Sequence, residues 1–193
     1  VFKKYVCAHA YAAEAVARAV DNGVRVIEHG NLIDAPTAKL MAARGAFLVP
    51  TLVAYDAIER HGGRWGMSGD SLEKNKVVIA AGLRSLELAR EAGVRMAFGS
   101  DLLGQLQPDQ SREFLIRSKV LSPLEIIRSA TVVGAELLGL PGELGTVTPG
   151  AVADLLVVDG NPLRDLSLLQ GQGEHLALIM KAGEIYKNRL AGG

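Results

Sequence analysis

The sequence predicts an α/β protein in which strands and helices alternate. Three observations carry that prediction. Short apolar runs recur, as in Tyr5-Val6-Cys7-Ala8, Val24-Arg25-Val26-Ile27 and Met96-Ala97-Phe98. Between them apolar residues fall at helical spacing, with Val16, Ala19 and Val20 on one face. Gly23, Gly45 and Gly93 then stand where the helices should stop, because a helix commonly ends on a residue that accepts positive φ.

The elements follow in order. A strand over residues 4–8 leads into an alanine-rich helix over 12–22, closed by Asn22-Gly23. A strand over 25–28 precedes a helix over 36–44, started at Asp34 or Ala35 with Pro36 in its first turn. A strand over 46–52 comes next. Residues 55–69 hold His61, Gly62, Gly63, Trp65 and Gly66, and read as a long excursion loop. Asp70 or Ser71 caps a helix over 72–92, and a strand over 95–99 follows. A short helix lies around 111–120. Ser122 caps a helix over 123–138, with Leu124, Ile127, Ala130, Val133 and Leu137 at helical spacing. This βα alternation implies a parallel sheet with right-handed crossovers, either half of a (β/α)8 barrel or an open sheet. The composition changes at Pro141. A turn-rich stretch over 142–150 precedes strands over 154–159, 176–180 and 184–187, the last two joined at Lys181-Ala182-Gly183. The expected division is therefore an α/β part over 1–140 and a small β element over 141–193.

Composition excludes several function classes. Lysine plus arginine (21) equal aspartate plus glutamate (21), and no basic run or aromatic-basic stripe argues for nucleic acid. No apolar stretch reaches the ~20 residues needed to cross a bilayer. Cys7 is the only cysteine, so no internal disulfide forms, which fits a reducing, cytoplasmic setting. The chain opens on Val1 a few residues before a strand, and reads as a segment whose beginning has been lost.

The chemistry concentrates at predicted strand ends. His9, His29 and Asp101 each close one such strand, and in βα-repeat proteins catalytic groups converge at the C-terminal strand ends. Two imidazoles and a carboxylate suit zinc, or manganese or iron. A catalytic metal keeps a position open for water, and the carboxylate of Asp101 can take that water's proton and pass it to a leaving amine. Tyr11, Thr51 and Tyr55 sit near the same rim as candidate substrate contacts. Glu28 precedes His29 and, by strand alternation, should point to the opposite side of the sheet. His61 and His175 read as solvated loop residues, and Cys7 as a small core residue.

These pieces resemble the amidohydrolase superfamily, in its imidazolonepropionase-like and Xaa-Pro dipeptidase-like group. The matching motifs are Ala8-His9-Ala10-Tyr11, Ile27-Glu28-His29-Gly30, Pro50-Thr51-Leu52 and Phe98-Gly99-Ser100-Asp101. The most specific is the tail from Leu144-Gly145-Thr146 through Asp159-Gly160-Asn161-Pro162-Leu163, continued by Ile179 to Asn188. The resemblance covers essentially the whole chain. It implies strands five to eight of a TIM-type barrel followed by the C-terminal part of a small β-sandwich. His9 would be the strand-five ligand, His29 the strand-six ligand and Asp101 the strand-eight ligand. The implied cofactor is a divalent metal, zinc first, with one or two ions. The implied activity is hydrolysis of amide or peptide C–N bonds, on dipeptides ending in proline or another residue, or alternatively on cyclic amides of the imidazolone type. The sequence departs from the family pattern in lacking a His-x-His pair, and neither Lys3 nor Lys4 sits at a strand end where a carboxylated lysine would stand. A half barrel leaves open edges, so pairing with a missing half or another copy is expected. Two other readings compete: a non-catalytic fragment that folds only by such pairing, and a metal-free lyase using the two histidines as acid and base.

Overall fold

A computed structural model of the chain describes residues 4–190, which leaves Lys3 outside the described residues. The chain forms two compact units, one up to Val120 and one from Leu121.

The first unit is built on a four-stranded parallel sheet in sequential order. Its strands are β1 (Cys7–Ala12), β2 (Val26–Leu32), β3 (Phe47–Val49) and β4 (Arg95–Met96). Around it lie α1 (Ala13–Asp21), α2 (Ala35–Ala43), α3 (Leu52–His61), α4 (Gly69–Ala92) and α5 (Arg112–Arg117). Local chemistry fixes the helix ends. Asp34 accepts from the Thr37 N–H at 2.9 Å and Pro36 occupies the first turn of α2. Gly93 ends α4 at φ 77°. Val16 and Val20 of α1, Ile27, Met41, Leu48 and Ala89 form a fully or nearly fully buried core. Each large aliphatic side chain there contributes roughly 1.5–3 kcal/mol by leaving water.

Several expectations are corrected. β1 and β2 run on past the histidines predicted to close them, so His9 and His29 lie within strands. Residues 55–69 are not a loop. α3 and a 3-10 turn over Gly62–Trp65 occupy most of them, because Leu52, Val53 and Ala57 bury one helical face. Ser68, not Asp70 or Ser71, caps α4, accepting from the Ser71 N–H at 3.3 Å. Cys7 is exposed rather than buried, since β1 is an edge strand with no neighbour on one side among the described residues. Lys4 is exposed and precedes β1.

The second unit pairs two helices with a three-stranded antiparallel sheet. α6 (Pro123–Ala130) begins with a reciprocal capping box between Ser122 and Glu125. The single helix expected over 123–138 breaks at Thr131 (φ −125°, ψ −96°), and α7 (Val132–Leu138) follows. The Thr131 hydroxyl donates to the Ile127 carbonyl at 2.8 Å, competing with the helical ladder. Gly145 packs so closely on the Thr131 backbone that a Cβ there would lie 2.5 Å from the Thr131 carbonyl. Leu124 is consequently 56% exposed, and Ile126 and Ala135 carry the burial instead. The sheet order is β5 (Leu155–Val158), β6 (Leu176–Lys181), β7 (Glu184–Asn188). Ala182 and Gly183 form the β6–β7 turn with left-handed φ of 50° and 83°. Asp154 secures that turn by accepting from the Ala182 N–H at 2.7 Å.

Candidate metal centre

The residues singled out in the sequence gather around His29. This side chain is 4% exposed. Its Nε2 lies 2.9 Å from His9 Nδ1, and its Nδ1 lies 2.8 Å from the Thr51 hydroxyl. The ring of Tyr11 stacks on the His29 ring at 4.7 Å and 11°. Tyr55 meets both rings edge-on, at 6.5 Å from Tyr11 and 6.4 Å from His29. His9, His29, Thr51, Tyr11 and Tyr55 therefore form one connected group. Asp101 is exposed and acts on this group electrostatically. Among the described residues no cluster of three His, Cys, Asp or Glu side chains is close enough to hold one ion. The structure thus joins His9 to His29 and leaves Asp101 nearby but outside the pair.

The backbone at these positions is unusual. His29, Thr51 and Asp101 adopt positive φ of 74°, 49° and 50°. Left-handed backbone is costly for residues with a Cβ, most of all for a β-branched threonine, and such strain clusters at functional sites. Only Gln172 and Ala182 share it among the other described non-glycine residues. The turn at His29 also overturns the expectation for Glu28. Glu28 is in register with His9 on β1, and positive φ at His29 breaks the alternation that would have sent Glu28 and His29 to opposite faces. Both residues feel His9 and Asp101.

The electrostatics favour neutral groups. Burial pushes the His29 imidazole below its ordinary value; the charge of Asp101 opposes this and His9 adds to it. Burial raises the Glu28 carboxyl, with His9 opposing and Asp101 reinforcing. Burial raises the Tyr55 phenol, helped by its hydrogen bond with Tyr11 and by Asp101, so the phenol stays protonated. A neutral imidazole is the form that binds a metal. If His29 donates from Nδ1 to Thr51, its Nε2 accepts from the His9 Nδ1–H at 2.9 Å, and an ion that displaced that one proton would meet both ring nitrogens. That arrangement, with the far nitrogen held by a hydrogen bond, fits a divalent ion such as zinc.

Other predicted residues fall elsewhere. His175 is exposed in a turn, as expected. His61 is the last residue of α3, with Nε2 3.3 Å from the Asp109 carboxylate. A fully buried ion pair, Glu113 with Arg117, was not anticipated. Its only sequence signal is i,i+4 spacing on a short helix, which reads equally well as a solvated pair.

The amidohydrolase family model matches residues 1–186, and the chain belongs to that family. Among solved structures, an amidohydrolase is 55% identical with a TM-score of 0.93, covering 97% of this chain and 46% of its own. A prolidase complexed with N-methylphosphonate-L-proline is 50% identical with a TM-score of 0.91, over 95% of this chain and 45% of its own. Ochratoxinase of Aspergillus niger is 25% identical over 185 residues, which is 95% of this chain but 38% of the enzyme. The chain thus spans less than half the length of each of these relatives.

Proposed function

We propose that the chain carries part of the active centre of a metal-dependent hydrolase of amide or peptide C–N bonds, with dipeptides ending in proline as the leading substrate class. In this reading residues 1–140 are strands five to eight of a TIM-type barrel and residues 141–193 part of its flanking β-sandwich. The observation that carries it is the convergence of His9 Nδ1 and His29 Nε2 at 2.9 Å, beside three strained backbone positions. The 50% identity to a prolidase supports the substrate class.

His9 and His29 would hold the ion, with Asp101 beside them. When bound, a divalent ion supplies a Lewis acid and brings the pKa of water down to about 7. The chain's own residues do the rest. Thr51 holds the His29 ring so that Nε2 faces the centre. The Asp101 carboxylate accepts the proton of the attacking water and returns it to the departing amine nitrogen. The protonated phenol of Tyr55 donates to Tyr11, which leaves the Tyr11 O–H to donate a hydrogen bond to a carbonyl or carboxylate oxygen of the substrate. The open edge of β1, with Val6 just before it 56% exposed, is where a complementary strand or a second copy would associate.

The test is metal content per chain by elemental mass spectrometry after dialysis, followed by assays on Xaa-Pro dipeptides. Bound zinc or a similar ion that is lost in a His9→Ala variant is expected. Metal-independent cleavage of dipeptides, insensitive to chelators, would sink the reading in favour of acid–base chemistry by the histidines alone.

A further inference from the structure

We infer that Glu113, held by Arg117, serves as a substitute helix cap that frees Thr51 to orient His29. This rests on the reading of His29 as a functional group.

Thr51 occupies the N-cap position of α3, where a threonine side chain ordinarily accepts a hydrogen bond from the N–H two or three residues on. It makes no such bond; its hydroxyl lies instead 2.8 Å from His29 Nδ1. The N–H it would have taken, that of Val53, donates to Glu113 Oε2 at 2.6 Å. A carboxylate from α5 has therefore taken over the capping task, and it also meets the positive end of the α3 dipole.

Arg117 makes this arrangement rigid. Its Nε donates to Glu113 Oε1 at 2.6 Å and its Nη1 to the Ala97 carbonyl at 3.0 Å. Its guanidinium lies 4.8 Å from the centre of the Phe98 ring, which packs on Phe114 at 4.4 Å. One ion pair thus reaches the start of α3, two residues after Thr51, and the backbone four residues before Asp101. Both side chains are 0% exposed. A buried ion pair is on average no more stabilising than apolar residues of similar volume. Stability alone therefore does not account for its presence, whereas holding two segments of the site in register does. Glu113 and Arg117 are positioning residues, since neither touches the centre.

The experiment reads the His29 ring by 15N NMR at fixed pH, which requires neither metal nor turnover. Its outcome is thus independent of whether the chain hydrolyses dipeptides. In the double variant Glu113→Leu/Arg117→Met, the Thr51 hydroxyl should swing to the vacated Val53 N–H, and the Nδ1-protonated pattern of His29 should be lost. A folded double variant with an unchanged His29 pattern overturns the proposal. A second variant covers the case in which the double variant does not fold. Thr51→Val in the otherwise unaltered chain should leave Val53 amide exchange within a few-fold of its starting rate, because Glu113 is the cap. An increase of about tenfold or more, the loss expected when a real cap is removed, would show that Thr51 caps α3 and would overturn the proposal.

Discussion

His29 on β2 and Thr51, two residues past the end of the adjacent parallel strand β3, meet at 2.8 Å, each on left-handed backbone, with φ of 74° and 49°. Neither conformation is favourable alone, and together they turn the imidazole so that Nδ1 is held and Nε2 faces His9. Removing the Thr51 hydroxyl should free the ring. Thr51→Val is expected to lower zinc affinity roughly 10- to 100-fold, the usual cost of losing such a supporting hydrogen bond. Thr51→Ser should restore most of it. Competition with a chromogenic chelator reads both variants.

Asp101 is assigned the proton transfer, and its backbone makes the neutral substitution clean. Its φ of 50° suits asparagine, which tolerates left-handed backbone well. Asp101→Asn should keep the melting temperature while the proposed hydrolysis of Xaa-Pro dipeptides falls roughly 100- to 10,000-fold. Retention of most activity in a folded variant would remove Asp101 from this role.

Gly30 follows His29 at φ 58°, and a Cβ there would lie 2.5 Å from Leu48 Cδ1 in the fully buried core. Gly30→Ala combines overpacking with left-handed strain and should cost about 2 kcal/mol or more. Urea unfolding measures it. Gly23→Ala supplies the comparison: it has positive φ but nothing within 4 Å of an added Cβ. Its loss should be about 1 kcal/mol, from strain alone.

How far the sequence reveals this centre depends on which interactions are local. That His9 and His29 end up close follows from pattern only in part: the β1–β2 register sets Glu28 opposite His9, one residue short of His29, and the left-handed turn at His29 completes the approach. Their standing as ligands remains the proposal made above. The placement of Glu28 was not legible, since strand alternation assumes extended backbone and the positive φ at His29 breaks it. α3 was hidden by the breakers Gly62, Gly63 and Gly66, which mark only its end and the turn beyond. The Thr131 break depends on Gly145, fourteen residues away in sequence. The Glu113–Arg117 pair was hidden because i,i+4 charge spacing looks the same on a solvated face as in a core.

Asp56 ties the surface beyond β3 to that beyond β4, and its charge gives a pH signature. Burial raises its carboxyl, but hydrogen bonds from Arg112 and Arg60, with their charges, bring it below the ordinary carboxylate value. Arg60 also reaches Asp109 at 2.6 Å, so α3, α5 and the 3-10 turn Gly104–Asp109 share one network. A lowered folded pKa means the unfolded chain binds the proton more readily. The stabilisation is therefore complete above the unfolded value of about 3.9 and is lost as pH falls through the lower folded value. The partners are partly exposed, so the contribution after screening is about 1 kcal/mol. Asp56→Asn should then be less stable than the parent by that amount at pH 7, and the gap should close as pH drops below about 4. Thermal melts at both pH values measure it. An unchanged gap at low pH would mean that Asp56 stabilises through packing and not through its charge.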